Sequence, residues 1–246
     1  AIVADYNATQ GAQNGYKVVP VFAGAYQESS VKLTAIISSG SNAELPDLYQ
    51  ISARGCFEMK DNEYLIPIYK MLEKDPTGLD TANMSPASLQ YASYQGQLLG
   101  FPFANSSVIM YYNKDQFKAA GLDPEQPPKT LAQLKEYAAK LTLTETAGDG
   151  KQKIKQLGFD PRLGNNAIQQ IVWPMGGSFF DKGGNPTLNS EAVVSAIQWW
   201  TDICRSYNVR AYNQFQTEHS DGAGKDMSFM QGATSMVINE NGLAWQ

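Results

Sequence analysis

The chemistry open to this chain is limited by its histidine content, because His219 is the one histidine among 246 residues. Zinc sites usually combine several histidine and cysteine ligands, which this composition does not offer. A serine–histidine–aspartate hydrolase would need His219 as its base, yet His219 lies in the polar stretch 214–221 and no nucleophile-elbow sequence occurs elsewhere. We therefore interpret His219 as an exposed loop residue and predict neither a metal nor another cofactor.

Carboxylate side chains are plentiful, with 24 aspartate and glutamate residues in the chain. Glycosidases place two carboxyl groups on either side of the bond that they cleave. No spacing in this sequence singles out such a pair. A hydrolase acting on glycosidic or phosphodiester bonds therefore stays open as the alternative to a binding protein.

A short polar break interrupts an apolar stretch near the middle of the chain. Residues 101–103 (Phe-Pro-Phe) are apolar and extended, because proline restricts the residue before it to β-like geometry. Asn105, Ser106 and Ser107 then offer an amide and two hydroxyls, and residues 108–112 form an apolar, β-prone run. The pattern fits either a chain that crosses a solvent-filled cleft or an edge strand with a polar kink.

The elements that would position polar groups in the first part of the chain follow a strand–helix–strand order. Residues 16–22 and 47–51 are strand-like, and a helix runs between them to about Ser39. This order predicts an α/β fold with a largely parallel sheet, in which ligands lie beyond the carboxyl ends of the strands. Tyr26 and Arg54 fall at that edge. Tyr26 is either a ligand-contacting residue or a core aromatic, and Arg54 either holds an anionic group or is a solvated surface arginine.

In the second part of the chain, Thr130 begins a helix with a capping-box pattern. A short strand follows at 157–160, and the loop after it carries Arg162 and Asn165. Together with Asp160, these two side chains lie where this part of the protein could face a ligand cleft. The three residues are therefore candidates for contacts with a polar ligand.

Two further structural predictions concern the remainder of the second part. Residues 144–155 are polar and contain glycine, which indicates a surface loop. Ser190 begins a long amphipathic helix that runs to Arg205 and contains the adjacent pair Trp199 and Trp200. Neighbouring residues of a helix point in different directions, so we expect one of the two indoles to be exposed.

Composition and charge exclude several classes of partner. The net charge is −5 and no basic, aromatic-studded patch occurs, so we predict no nucleic acid partner. An acidic surface also argues against binding to anionic membranes. No run approaches the roughly 18 apolar residues of a membrane span. Cys56 and Cys204 do not make a disulfide framework, and we interpret both as small buried hydrophobes.

Two motifs carry a resemblance to a known family. Residues 111–131 read YYNKDQFKAAGLDPEQPPKTL, and residues 229–236 read FMQGATSM. Both are similar to segments of the bacterial extracellular solute-binding proteins of ATP-binding-cassette (ABC) importers, in the sugar-binding group that also includes glycerol-phosphate-binding members. Leu131 stands where this family usually has tryptophan. Ala53 stands near a position at which glycerol-phosphate binders tend to carry glutamate, so the motifs mark the family strongly and the ligand poorly.

The resemblance implies a two-lobed, periplasmic-binding-protein-like α/β fold with a ligand cleft between the lobes. The first lobe is expected at 1–107, the second at 108–236, and a second crossing between them at 237–246. Trp173 either stacks on a sugar ring, as an aromatic does in this family, or packs in the core. Glu240 either accepts hydrogen bonds from ligand hydroxyls or is the isolated candidate for a hydrolase carboxylate. The expected ligand-binding residues are Tyr26, Arg54, Asn105, Ser106, Ser107, Arg162, Trp173, Asn239, Glu240 and Asn241.

The function that the resemblance implies is capture of a small polar solute by hinge closure, for delivery to an ABC permease, without catalysis. A sugar or related polyol is the first expectation for the ligand, and glycerol 3-phosphate the second. We expect a monomer located outside the cytoplasmic membrane, either in a periplasm or anchored by lipid. Family members are longer and open with a strand that is absent here, so we expect an incomplete piece of a longer protein without its leader.

Overall fold

The computed structural model describes residues 1–75, 78–162, 168–220 and 227–241, and the chain divides into two units, 1–105 and 106–246. Among the described residues, short helices make up most of the regular structure of the first unit. They are α1 (Ile2–Ala8), α2 (Gln10–Asn14), α3 (Tyr26–Ser39), α4 (Ala53–Glu58), α5 (Ile68–Leu72) and α6 (Pro86–Tyr91). The two-residue strands β1 (Ser93–Tyr94) and β2 (Gln97–Leu98) pair antiparallel as a hairpin.

Helix α3 confirms the helix predicted after residue 22. Glu28 at its first turn accepts a hydrogen bond from the backbone N–H of Ala25 at 3.2 Å, which satisfies one of the donors left open at a helix start. Gly40 ends the helix in a left-handed conformation with φ of 68°, which glycine adopts without strain. Leu33 is buried in this helix, whereas Val31 is exposed.

The parallel sheet predicted for the first unit is wrong for the described residues. Residues 16–22 and 47–51 do not form strands. Asn7 takes the place of a neighbouring strand: its side chain donates to the carbonyl of Val18 and accepts from the N–H of Val18, both at 2.8 Å. Phe22 is 91% exposed, so this apolar run has no sheet to pack into.

The second unit combines helices with two antiparallel strand pairs. Its strands are β3 (Val108–Tyr112), β4 (Leu143–Thr146), β5 (Gln152–Gln156) and β6 (Met236–Glu240). Strand β3 pairs with β6, and β4 pairs with β5. Its described α-helices are α7 (Lys114–Ala119), α8 (Leu131–Leu141), α9 (Gln169–Val172), α10 (Glu191–Ser206) and α11 (Val209–Glu218). The β4–β5 hairpin replaces the surface loop predicted at 144–155, and α11 is a helix that the sequence analysis missed.

Side-chain caps fix the starts of the helices that follow β3. The Asn113 side chain accepts hydrogen bonds from the backbone N–H groups of Asp115 and Gln116 at the start of α7. Thr130 accepts from the N–H of Gln133 at 3.1 Å, and the Gln133 side chain accepts from the N–H of Lys129 at 2.8 Å. The Thr130 bond confirms the predicted cap of α8, whereas the Gln133 side chain reaches the N–H of the residue before the cap and not that of Thr130, so the reciprocal half of the capping box is absent.

The core of the second unit is a single cluster of apolar side chains from its helices and strands. Trp199 and Trp200 both pack against it, so the prediction that one indole is exposed is wrong. Each indole N–H reaches a backbone carbonyl, that of Leu131 at 3.1 Å and that of Pro161 at 2.8 Å. Because both indole N–H groups are hydrogen-bonded, neither donor is left unsatisfied when the rings pack against the core. The largest fully buried apolar side chains are Phe117, Phe159, Phe215, Leu141, Leu157, Ile171, Ile203 and Met236.

Three remaining expectations concern single residues. His219 directly follows α11, is partly buried, and lies 2.5 Å from the side-chain oxygen of Gln231, so it is not the exposed loop histidine expected. Cys56 and Cys204 are half-buried free thiols rather than fully buried ones, and burial raises the pKa of both. Within the ranges that the structure describes, every helix is too short or too polar to traverse a bilayer.

Candidate functional site

Two of the predicted polar segments lie side by side at one end of the β3–β6 ladder. Val108 pairs with Glu240, and beyond this pair the N–H of Asn241 donates to the carbonyl of Ser107 at 2.8 Å. The N–H of Ser107 in turn donates to the Asn241 side-chain oxygen at 3.3 Å. Residues 106–107 and 239–241 are therefore neighbours in space although more than 130 positions apart in sequence. We call these five residues the ladder end.

The ladder end continues past the part of the sheet that covers the core. Paired strand residues share a face, and Met110, Tyr112 and Ile238 pack against the core from one face of this ladder. Glu240 lies at the next position along that face but is exposed. The carboxylate of Glu240 is thus held by a rigid strand pair while remaining open to solvent.

Backbone and aromatic contacts fix the local conformation of Glu240. The hydroxyl of Tyr111 donates to the Glu240 carbonyl at 3.2 Å, and the Glu240 N–H donates to the Asn239 side-chain oxygen at 2.7 Å. The Tyr111 ring lies 6.0 Å from the ring of Phe229. Tyr111 and Phe229 were not predicted as neighbours of the site. Their position within the two motifs that carry the family resemblance is the signal that could have identified them.

Three of the predicted ligand-binding residues, Tyr26, Arg54 and Asn105, belong to the first unit. Tyr26 is 57% exposed at the start of α3, so the interpretation as a core aromatic is wrong. Arg54 is exposed and donates through Nε to Glu58 at 2.8 Å, which matches the interpretation as a surface arginine. Asn105 donates through its side-chain amide to the Ser88 hydroxyl at 2.6 Å. A ligand-binding role for these three residues stays a prediction.

Trp173 begins a 3-10 turn, Trp173–Met175, that continues from α9. Its side chain is 59% exposed, so the interpretation as a core-packing residue is wrong. An exposed indole offers a flat apolar face, which suits stacking on a sugar ring. Asn165, and residues 242–246 of the predicted second crossing, lie outside the described residues.

Arg162 lies against a buried carboxylate, that of Asp160, which is 1% exposed. Nε and Nη2 of Arg162 donate to one oxygen of Asp160 at 3.3 and 3.2 Å, and the N–H of Arg162 donates to the other oxygen at 2.9 Å. Tyr212 and Gln216, both on α11, add hydrogen bonds to the same carboxylate at 2.7 and 3.2 Å. The expectation that Asp160 faces a cleft is therefore wrong, because its carboxylate is enclosed by protein donors.

This network ties the segment before Arg162 to the surrounding elements. The N–H of Asp160 donates to the carbonyl of Met236 in β6 at 3.1 Å, and Tyr207 donates to the carbonyl of Phe159 at 2.9 Å. Burial raises the pKa of Tyr207 to about 12. Burial, followed by the nearby Asp160 carboxylate, also raises the pKa of Tyr212 well above its usual range. Both phenols therefore remain neutral hydrogen-bond donors at physiological pH.

The chemistry of the ladder end is that of a hydrogen-bonding surface. It exposes hydroxyls from Ser106 and Ser107, amides from Asn239 and Asn241, and the carboxylate of Glu240, with Asn239 and Glu240 on opposite faces of the ladder. Within the described ranges, no three or more histidine, cysteine, aspartate or glutamate side chains are grouped so that they could hold a metal ion. Groups of this kind can donate to and accept from the hydroxyls of a polar solute.

Residues 1–246 match the family model described as bacterial extracellular solute-binding protein, and the chain belongs to that family. Over 128 residues, 51% of the chain, it is 38% identical to the sn-glycerol-3-phosphate-binding periplasmic protein UgpB of Escherichia coli K12. This match covers 28% of that relative.

Solved structures show the same fold. CpMnBP1 with mannotriose bound is 25% identical, with a TM-score of 0.73 over 97% of this chain and 59% of that one. UgpB from Mycobacterium tuberculosis in complex with glycerophosphocholine is 19% identical, with a TM-score of 0.71 over 98% of this chain and 55% of that one. These neighbours are two-lobed solute-binding proteins, which confirms the predicted fold class. The chain spans less than two thirds of the length of each relative named.

Proposed function

We propose that the protein captures a small polar solute for an ABC importer. The observation that carries this proposal is the ladder end, where exposed amides, hydroxyls and a carboxylate are held together by the Ser107–Asn241 hydrogen bonds. The membership of the chain in a solute-binding family supports the same function. The hydrolase alternative has no support from the family or from the relatives named above.

The proposed mechanism is closure of two lobes about the crossings that join them. We propose the lobes at 1–107 and 108–236, with 237–246 as the second crossing. Closure requires that the ligand make contacts in the closed state that it lacks in the open one. The ladder end supports this proposal, because it brings one predicted crossing against the other and so offers polar groups from both to a single ligand.

A sugar or related polyol is the proposed ligand class. The exposed rings of Tyr26 and Trp173 support a ligand with an apolar ring face, and the ladder end supports one with several hydroxyls. The structural neighbour CpMnBP1, which was solved with mannotriose bound, supports the same class. Glycerol 3-phosphate is the second candidate, supported by the name of the 38% identical relative.

The proposed partner is an ABC permease, and the proposed location is outside the cytoplasmic membrane, in a periplasm or attached there by lipid. The description of the family as extracellular and the periplasmic relative support the location. We propose that the protein acts as a monomer. The net charge of −5 supports the proposal that it does not bind nucleic acid.

Thermal unfolding against a panel of sugars, polyols and glycerol phosphates tests the function. A ligand present at 100 times its Kd stabilises a protein by about 2.7 kcal/mol, which raises the Tm of a domain of this size by roughly 5–10 °C. We expect such a shift with a ligand that is recovered unchanged. A shift accompanied by consumption of the ligand would favour the hydrolase, and no shift with any compound on the panel would contradict the proposal.

A further inference from the structure

The side chains of Asn239 and Asn241 at the ladder end both turn an oxygen towards the backbone. Oδ1 of Asn239 accepts from the Glu240 N–H at 2.7 Å, and Oδ1 of Asn241 accepts from the Ser107 N–H at 3.3 Å. A backbone N–H only donates, so the amide atom that faces it is the oxygen and the nitrogen points elsewhere. The backbone therefore fixes which end of each amide is available to a ligand.

The pairing of the two strands explains why these backbone donors need side-chain acceptors. In a hydrogen-bonded antiparallel pair, the two residues exchange two backbone bonds. Ser107 and Asn241 make one of them, from the Asn241 N–H to the Ser107 carbonyl, and the Asn241 side chain accepts the second. The next pair, Val108 and Glu240, is of the alternate type without mutual backbone bonds, so the Glu240 N–H points away from β3 and is met by Asn239.

The amide nitrogens of Asn239 and Asn241 remain open to solvent. Both residues are exposed, and among the residues that the structure describes none accepts a hydrogen bond from either nitrogen, each of which carries two N–H groups. The Glu240 backbone is already satisfied, its carbonyl by the Tyr111 hydroxyl, so what Glu240 still offers is its exposed carboxylate. The ladder end therefore offers fixed amide donors on one face and a carboxylate on the other.

We propose that Asn239 and Asn241 are specificity-determining residues that act as hydrogen-bond donors only, and that they bind an uncharged solute through its hydroxyl or ether oxygens. A sugar or polyol hydroxyl can accept from these amides and can also donate to Glu240. A phosphate group can accept from the amides, but the Glu240 carboxylate repels it. This inference rests on the proposed solute-binding function and deepens it by assigning a direction to the hydrogen bonds that the two amides make.

The test is isothermal titration calorimetry of the Asn239→Asp and Asn241→Asp variants, with mannotriose and ribitol as probes. Aspartate keeps an oxygen for the backbone N–H but replaces the outward nitrogen by a second oxygen, so the ligand loses a donor while the local hydrogen bond is kept. We expect Kd to rise by about tenfold in each variant. The Tm without ligand should stay within about 2 °C of wild type. An unchanged or lower Kd in either variant would overturn the inference, since the substitution conserves an amide oxygen that faced the ligand.

A pH profile separates the loss of a donor from damage to the structure. A protonated carboxyl regains an O–H donor, so the loss of affinity in each variant should shrink below about threefold as the pH falls from about 7 to about 4. Each variant is compared with wild type at the same pH, which accounts for the protonation of Glu240 in both proteins. A loss that stays at about tenfold at pH 4 would show a structural role only and overturn the inference.

The matched control is Asn208→Asp, which adds the same charge to the same unit. Asn208 is exposed and its Oδ1 accepts from the Ala211 N–H at 3.1 Å, so this amide oxygen is also held by the backbone. Kd for both probes should stay within about twofold of wild type, because exposed charges are largely screened by salt. A tenfold rise here would show a general effect of charge and overturn the assignment to the ladder end.

Binding to the wild-type protein distinguishes failure of this inference from failure of the proposed function. If neither probe nor any other sugar, polyol or glycerol phosphate on the thermal panel binds, the proposed function is wrong and the inference falls with it. Binding confined to the glycerol phosphates would leave the function in place and overturn the inference. Binding of either probe with unaffected ladder-end variants would do the same.

Discussion

The two units of the chain differ sharply in how they bury apolar side chains. Among the described residues, Leu33 is the one buried hydrophobic side chain of the first unit, whereas the second unit has a continuous core built from its helices and strands. The first unit leaves Val21 and Phe22 exposed on an extended segment. A comparable apolar run in the second unit, β3, is paired along its whole length with β6.

The difference shows what a strand needs from the remainder of a protein. Residues 16–22 and β3 are both β-prone by composition, yet of the two β3 alone has a partner strand, β6, and packs one face against the core. A helix closes its hydrogen bonds within its own segment, but a strand must find them elsewhere in the chain. Local sequence therefore predicts helices such as α3 in either unit, and strands where a partner is present.

The largest expected contrast is between Phe117→Ala in the second unit and Phe22→Ala in the first. Phe117 is fully buried against Tyr112 and Tyr137, so its truncation should cost about 3–5 kcal/mol of unfolding free energy. Phe22 is exposed, and its truncation should change stability by less than about 0.5 kcal/mol. Urea unfolding followed by circular dichroism measures both. Equal losses would mean that Phe22 is buried in solution.

The pH dependence of stability should sharpen the contrast, because it draws on buried phenols of the second unit. Tyr207 has its pKa raised to about 12 by burial, so the folded state holds a proton that the unfolded state loses near pH 10. Its contribution is fully present below about pH 10 and is lost as the pH rises through about 12, with a slope of up to about 1.4 kcal/mol per pH unit.

The control for this prediction is Tyr207→Phe, which lacks the titrating hydroxyl. Below about pH 10 the variant should be less stable by about 1 kcal/mol, since it loses the hydrogen bond to Phe159. Above pH 10 this gap should close and then reverse before pH 12, because wild type loses up to about 2.7 kcal/mol over the two pKa units and the variant does not. A gap that stays constant across this range would contradict the burial of the Tyr207 phenol.

Removal of a helix cap should have the smallest effect on stability. The two units offer a matched pair of cap positions for this test. Thr130 caps α8 through a side-chain hydrogen bond, whereas Ser85 at the start of α6 makes none. Thr130→Ala should therefore cost about 1 kcal/mol, and Ser85→Ala only a few tenths. Chemical denaturation of the two variants tests this difference. Equal costs would show that α6 is capped in solution in the same way as α8.

The sequence predicted those features whose causes are local. The helix after residue 22 and the cap at Thr130 follow from periodicity and capping chemistry, and both are present. The predicted strand at 108–112 is present as well, because β6 supplies its partner. The sheet expected at 16–22 failed because pairing depends on distant residues. The β4–β5 hairpin was missed because β4 is exposed throughout and β5 carries a single apolar residue, the buried Ile154, so neither shows the apolar–polar alternation that marks a half-buried strand.

The candidate site was predictable only in part, because distant segments of the chain bring its residues together. The polar break identified residues 106–107 and the family resemblance identified residues 239–241, but their pairing at the ladder end required the register of two strands far apart in sequence. The enclosure of Asp160 by α11 was not visible, since α11 itself was missed. An aspartate within the apolar run 157–161 was the available signal, because a carboxylate carried into a core must find several donors there.

Ligand binding at the ladder end is tested most directly by hydrogen exchange with and without the best ligand from the thermal panel. Amides of residues 106–107 and 239–241 should exchange more slowly in the presence of ligand, while those of the β4–β5 hairpin should be unchanged. Slowed exchange confined to the ladder end and the other predicted ligand-binding residues would support the site. Binding with unaltered exchange at all five ladder-end residues would contradict it.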